Sequence, residues 1–127
     1  ETPDGIPLVR DPRKPTPWYW KFPGGRSQPG EEPADTAARE LREETGIDLR
    51  AEKLTLVDQE VKGEDGHQHV VYFFQAKLEM PVTLRERGSD GEEVAFFSLE
   101  KIKTLKEFFP NHRRVAEKIY FFPPLPL

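Results

Sequence analysis

The 127-residue chain has a formal net charge of -4, with 33% charged residues, 11% aromatic residues and no cysteine. Its length suits one domain with a real core, here residues 1–127 as a whole. The acidic balance argues against extended nucleic acid, and the missing thiols exclude disulfides, thiolate metal sites and a cysteine nucleophile. No run approaches the roughly 18 apolar residues of a membrane helix and no basic-then-apolar leader opens the chain, so a cytoplasmic protein without membrane contact is expected.

In chain order, Ile6 to Arg10 predicts a short strand, and "RDPRKPTP" after it a proline-rich loop. "WYWKF", Trp18 to Phe22, is extended and leads into a turn at Pro23-Gly24-Gly25. A helix follows from Pro33 to Thr45, with proline in its first turn and Gly46 as a left-handed cap. Partial alternation predicts a strand over Ala51 to Val61, and "KGEDG", Lys62 to Gly66, a hairpin turn. His69 to Leu78 is apolar on both faces, which predicts a central, covered strand. Glu93 to Ser98 reads as another strand and Leu99 to Lys106 as a short helix. Asn111 would cap a helix reaching Tyr120, and the prolines of "FFPPLPL" forbid further helix. This order implies an α+β fold, a mixed central sheet with helices on both faces.

The helix raises a physical problem. Residues three and four apart share a face, so Glu40, Glu43 and Glu44 converge and repel one another by a few tenths of a kcal/mol per pair. Ala34, Ala37, Ala38 and Leu41 form an apolar stripe that would pack on the sheet. A solvated acidic face partnered by Arg39 and Arg42 is the plain account of such a pattern. Its surroundings point further: glycines at 24 and 25, Glu31 ahead of the helix, Arg39 beside Glu40, and Gly46-Ile47 closing it.

Read from Gly25, the spacing of Glu31, Arg39, Glu40, Leu41, Glu43, Glu44, Gly46 and Ile47 resembles the Nudix box of the Nudix (MutT-like) hydrolases at every defined position. "WKFPGG", "VVYFF" and "EEVAFFSLEKI" fit that family's layout more loosely. The resemblance implies an α/β/α sandwich. The family's first strand has no counterpart ahead of Ile6, so that strand is lacking or another segment fills its edge.

The same resemblance implies hydrolysis of a small nucleoside diphosphate derivative by water attacking phosphorus, with Mg²⁺ as cofactor and Mn²⁺ as a substitute. A diphosphate repels an anionic nucleophile unless cations neutralise its oxygens. Glu43 and Glu44 would be the main ligands, together with the Gly24 carbonyl. Glu40 would be a ligand or the general base, Glu31 would stand one layer out, and Arg39 would orient a carboxylate. A base in a later loop falls on Glu92 or Glu93, with Glu93 placed in the catalytic set; ordinary exposed carboxylates are the alternative.

Trp18, Tyr19, Trp20, Phe73 and Phe74 are the stacking candidates for a base, with Trp20 and Phe74 chosen, and Arg10, Arg13 and Lys14 the cations for phosphates, with Arg10 chosen. His67 and His69 are expected to be exposed, and His112 to be a helix-start residue. The marks of ADP-ribose, dinucleoside polyphosphate and NADH hydrolases are missing, which leaves nucleoside triphosphates, oxidised ones included. A non-catalytic nucleotide-binding or regulatory module of the same fold stays open beside the hydrolase, as does an acidic-helix scaffold. The apolar "YFFPPLPL" makes a homodimer conceivable.

Overall fold

The computed structural model describes residues 1–122. Its elements are β1 (Ile6–Arg10), α1 (Pro33–Thr45), β2 (Thr55–Lys62), β3 (His69–Gln75), β4 (Glu93–Phe97), α2 (Leu99–Thr104) and α3 (Pro110–Ala116). A 3-10 turn at Ala51–Lys53 precedes β2, and α3 continues as a π-helical turn over Glu117–Phe121. The fold is α+β. No described helix is long and apolar enough to cross a membrane.

Among the described residues the ladders are two antiparallel pairs, β1 with β4 and β2 with β3. Single bridges extend the first pair: Val9 to Lys21 antiparallel, and Trp20 to Phe108 parallel, which supplies the mixed character. Alternation on β1 sends Ile6 and Leu8 into a core with Phe97, Ile102, Phe108 and Ala116, so α2 and α3 cover that face. Leu8, Ile102 and Phe108 are fully buried or nearly so, each worth about 1.5–3 kcal/mol. No strand precedes β1 among the described residues; Leu78 N–H donates to the Glu1 carbonyl at 2.8 Å, bringing the first residue against the end of β3.

Several expectations need correction. β3 stops at Gln75 and is neither central nor covered: among the described residues only β2 pairs with it, and Val70 and Tyr72 are 42% and 39% exposed while Phe73 is buried. An apolar pattern on both faces cannot distinguish a dry core from the wall of an open cleft. The segment Ala51 to Val61 divides into a 3-10 turn at Ala51–Lys53 and β2 from Thr55 on, and a register shift between Leu56 and Asp58 breaks the alternation within β2. α3 starts two residues earlier than Asn111 as a cap implied, with Phe109 as its N-cap, because Pro110 suits the first helical position. The end of "FFPPLPL", residues 123–127, and any self-association built on it lie outside the described residues.

Candidate active site

α1 starts and stops where its sequence says. Glu32 N–H donates to Asp35 at 3.3 Å in the first turn, and Gly46, at φ 85°, donates back to the Arg42 carbonyl at 2.9 Å. The alanine stripe is only half-buried; the buried positions are Thr36, Glu44 and Thr45.

Arg39 resolves the repulsion on the acidic face. Its guanidinium donates to Glu31 at 2.7 and 3.1 Å, to Glu40 at 3.0 Å and to Glu43 at 3.0 Å, and to the Arg26 carbonyl at 3.0 Å. One cation therefore joins three carboxylates to the glycine turn. The Arg39 hydrogen bonds pull Glu31 down to about 2, and those carboxylates raise Arg39 in return.

The turn explains its own glycine. A Cβ on Gly25 would stand 2.5 Å from Glu40 Oε1, so a side chain there would push this carboxylate from its place beside Arg39. Gly24 N–H donates to Glu44 Oε1 at 2.7 Å.

A strap over residues 85–92 closes the other end of α1. Arg85 N–H donates to the Thr45 carbonyl at 2.8 Å, and Ser89 donates to the Glu43 carbonyl through both N–H and hydroxyl at 2.9 Å. These bonds satisfy carbonyls that a helix end leaves free. The strap delivers Glu92, which is 7% exposed and accepts from Asp90 N–H at 2.9 Å. A Cβ on Gly88 would lie 2.8 Å from Glu92 Oε1 and 3.1 Å from the Glu44 carbonyl, so loop and helix meet there.

Glu44 is the electrostatic centre. Burial pushes its carboxyl up to about 8, against the pull of the Gly24 N–H and of Lys21, and Glu40 and Glu92 push the same way as burial. A carboxyl held proton-bearing among other carboxylates is poised to exchange its proton for a cation.

The expected residues fall into two groups. Gly24, Glu31, Arg39, Glu40, Glu43 and Glu44 come together around the turn. Arg10, Trp20 and Glu93 do not join them: Arg10 donates to Glu93 at 2.5 Å and lies 4.6 Å over the Trp20 ring, which packs edge-on against Phe97 at 4.8 Å. They knit β1 to β4, as the Arg10–Glu93 register pair requires. Glu92 and Glu93 point apart because neighbours at a strand start face opposite sides. Arg13 is spent on Asp11, with two hydrogen bonds of 2.9 Å.

A NUDIX domain family model matches residues 1–119. The chain belongs to the Nudix family. It is 47% identical over 103 residues, 80% of this chain, to the Mus musculus protein named nucleoside diphosphate-linked moiety X motif 6, of whose length it spans 33%. It is 30% identical over 120 residues, 94% of this chain and 71% of the relative, to diphosphoinositol polyphosphate phosphohydrolase 3-alpha of Mus musculus. The solved MutT NUDIX hydrolase from Burkholderia pseudomallei superposes with a TM-score of 0.70 at 22% identity, covering 92% of this chain and 89% of that one, a likeness of fold.

Nudix hydrolases are generally divalent-metal dependent. In this chain no three described acidic or histidine side chains stand close enough together to ligate an ion as they are. The donor set nevertheless fits one: the Nudix-box carboxylates are already gathered, Arg39 occupies part of their charge, and buried Glu44 lacks a cationic partner at ion-pair distance among the described residues.

Beside the box opens a cleft of about 1260 Å³ lined by the glycine turn, α1, β3 and α3. Tyr19, Phe73 and Phe74 face it, as do exposed His67 and His69. Lys21 also lines it, and its charge acts on both Glu44 and His112. Lys21 was missed in sequence, although "WKFPGG" places it three residues before Gly24.

Proposed function

We propose that this chain is a metal-dependent pyrophosphohydrolase acting on a small nucleoside diphosphate derivative, a nucleoside triphosphate or its oxidised form, in the cytoplasm. The observation that carries the reading is the Nudix box folded into one constellation, with buried Glu44 held near pKa 8 beside Glu40 and Glu92. Glu43 and Glu44, joined by Glu40, would hold Mg²⁺, for which Mn²⁺ can substitute. Such an ion, when bound, neutralises the diphosphate oxygens and polarises the phosphorus.

The chain's own groups do the rest. Arg39 keeps Glu40 and Glu43 aimed at the turn. Lys21 meets the phosphate oxygens from the cleft side. Water forms the new P–O bond as the anhydride P–O bond breaks, and Glu92 takes its proton: one oxygen is fixed by Asp90 N–H, the other has no protein donor among the described residues. Glu92 replaces Glu93 in this role.

Release of phosphate or pyrophosphate from nucleoside triphosphates, oxidised nucleotides, dinucleoside polyphosphates, ADP-ribose and nucleotide sugars, with Mg²⁺ and with chelator, tests the reading. Turnover that vanishes with chelator supports it. A folded protein that turns over nothing on the panel reduces it to a binding module. The aromatic walls of the cleft suit a planar base.

A further inference from the structure

At Glu43, donors from the strap over residues 85–92 meet on one carbonyl oxygen. It accepts from Ser89 N–H at 2.9 Å, from the Ser89 hydroxyl at 2.9 Å and from the Arg85 guanidinium at 3.3 Å, and that guanidinium also donates to Ser89 Oγ at 3.1 Å. The hydroxyl proton of Ser89 is thus committed to α1. The same turn carries Glu92: Gly88 N–H donates to the Glu92 carbonyl at 3.0 Å and Asp90 N–H to its carboxylate at 2.9 Å. Ser89 and Glu92 therefore move together. Ser89 is exposed, and residues 81–92 form neither helix nor strand beyond a bridge from Arg87 to Glu93, so the segment can be drawn out onto another protein. Of the serines at 27, 89 and 98, Ser89 alone has a carboxylate three residues on, Glu92, with Asp90 and Glu93 beside it.

We propose that Ser89 is a phosphorylation site for a serine kinase directed by carboxylates downstream of its target, and that the phosphate releases the strap from α1 and takes Glu92 out of the site. Its effect on turnover rests on the hydrolase reading. In the step itself Ser89 Oγ bonds to the γ-phosphorus of ATP, the β–γ P–O bond breaks, ADP leaves with the electron pair, and the hydroxyl proton passes to the kinase. The product lacks the proton that the Glu43 carbonyl accepts and carries a charge of about -1.5 to -2 at pH 7. That charge stands at the C-terminal end of α1, where the helix carbonyls already present negative charge, and next to Asp90. Arg85, already on Ser89 Oγ, would turn from the Glu43 carbonyl to the phosphate. Arg13, whose charge reaches Asp90 and Glu92, is held by Asp11 at 2.9 Å. Ser89 N–H alone is then left on the Glu43 carbonyl, against a repulsion absent before, and the strap lifts.

Two measurements test the site and the switch separately. The folded protein, incubated with an acid-directed serine kinase and excess ATP and mapped by mass spectrometry, is expected to carry phosphate at Ser89. Absence of phosphate from Ser89, whatever else is labelled, would overturn the site. For the switch, phosphoserine is placed at position 89 during translation by codon reassignment, which needs no kinase. Its kcat is expected to fall about a hundredfold, the scale of losing a general base, and its amides over residues 85–92 to exchange hydrogen faster, with β1 and β4 unchanged. Ser89→Ala keeps the backbone N–H and Arg85 on the Glu43 carbonyl, so its kcat should fall a few-fold at most. Unchanged exchange, exchange slowed by an Arg85–phosphate clamp, or exchange raised in β1 and β4 as well would each overturn the switch. Faster exchange confined to the strap, in a protein whose unmodified form turns over nothing, would overturn the hydrolase reading alone; turnover that phosphoserine leaves intact would overturn this one alone.

Discussion

The two ends of the cleft are built differently. At the Nudix box, Arg39 joins three carboxylates, Gly24 holds Glu44, and the strap over residues 85–92 bonds to the carbonyls of Glu43 and Thr45. At the far wall, the β2–β3 hairpin is tied to the body mainly by Arg114 and Lys118 on Asp58 and Glu60, and by Phe73 against His112. Leu56, Val61, Val70 and Tyr72 stay exposed on it. The tied end suits chemistry, which tolerates little misplacement, and the looser wall suits recognition, which must admit a ligand.

The sharpest way to break this contrast is to remove charge at the tied end. Glu43→Gln with Glu44→Gln is expected to lower kcat by about a thousandfold or more, the scale of losing an electrostatic catalytic element, while the fold persists. Steady-state hydrolysis beside a thermal melt checks it. Retained turnover would move the chemistry elsewhere. Next in size, Glu92→Gln should lower kcat by about a hundredfold, and Glu93→Gln should leave kcat alone. Equal effects would show that the strap does not sort the two carboxylates.

Glu44 gives a pH signature. Its folded value is raised to about 8 from an ordinary 4.5, so metal-free folded protein binds more protons than the unfolded chain between those values. The stability of the metal-free fold therefore falls as pH rises through that window, and is unaffected by this group below it. Metal binding must displace the proton, so Mg²⁺ affinity should rise by up to about tenfold per pH unit from 6 to 8. Calorimetry at pH 6, 7 and 8 reads the slope, and Glu44→Gln should flatten the stability profile. A pH-independent affinity would mean that the Glu44 proton is not lost to the ion.

Much of the tied end was legible because its constraints are local. Proline, glycine and a helix period set the limits of α1, and the spacing of the box named its carboxylates. The choice between Glu92 and Glu93 was not legible, since it depends on the register of β4 against Arg10, a contact far along the chain. Trp20 misled for a similar reason: an aromatic beside the box looks like a stacking platform until Phe97 and Arg10 are seen against it. His112 was read as a helix-start residue because nothing local shows that Phe22 folds onto it. For β3, a pattern of apolar residues could not show that, among the described residues, β2 is its one partner strand.

Smaller in stability, Arg114→Ala tests whether the loose wall is separate from the chemistry. Arg114 donates to Asp58 and Glu60, both at 2.7 Å, but its own side chain is half exposed, and Lys118 still reaches Asp58 at 3.0 Å. Loss of such a pair costs about 0.2–1 kcal/mol and shrinks further in salt. The hairpin would then open more often, and Phe73 would sit less steadily against His112. KM should rise a few-fold with kcat unchanged, because the carboxylates, the turn and the strap make no contact with this network among the described hydrogen bonds. If kcat fell instead, the wall and the box would move as one body, and the division between a fixed site of chemistry and a yielding site of recognition would fail.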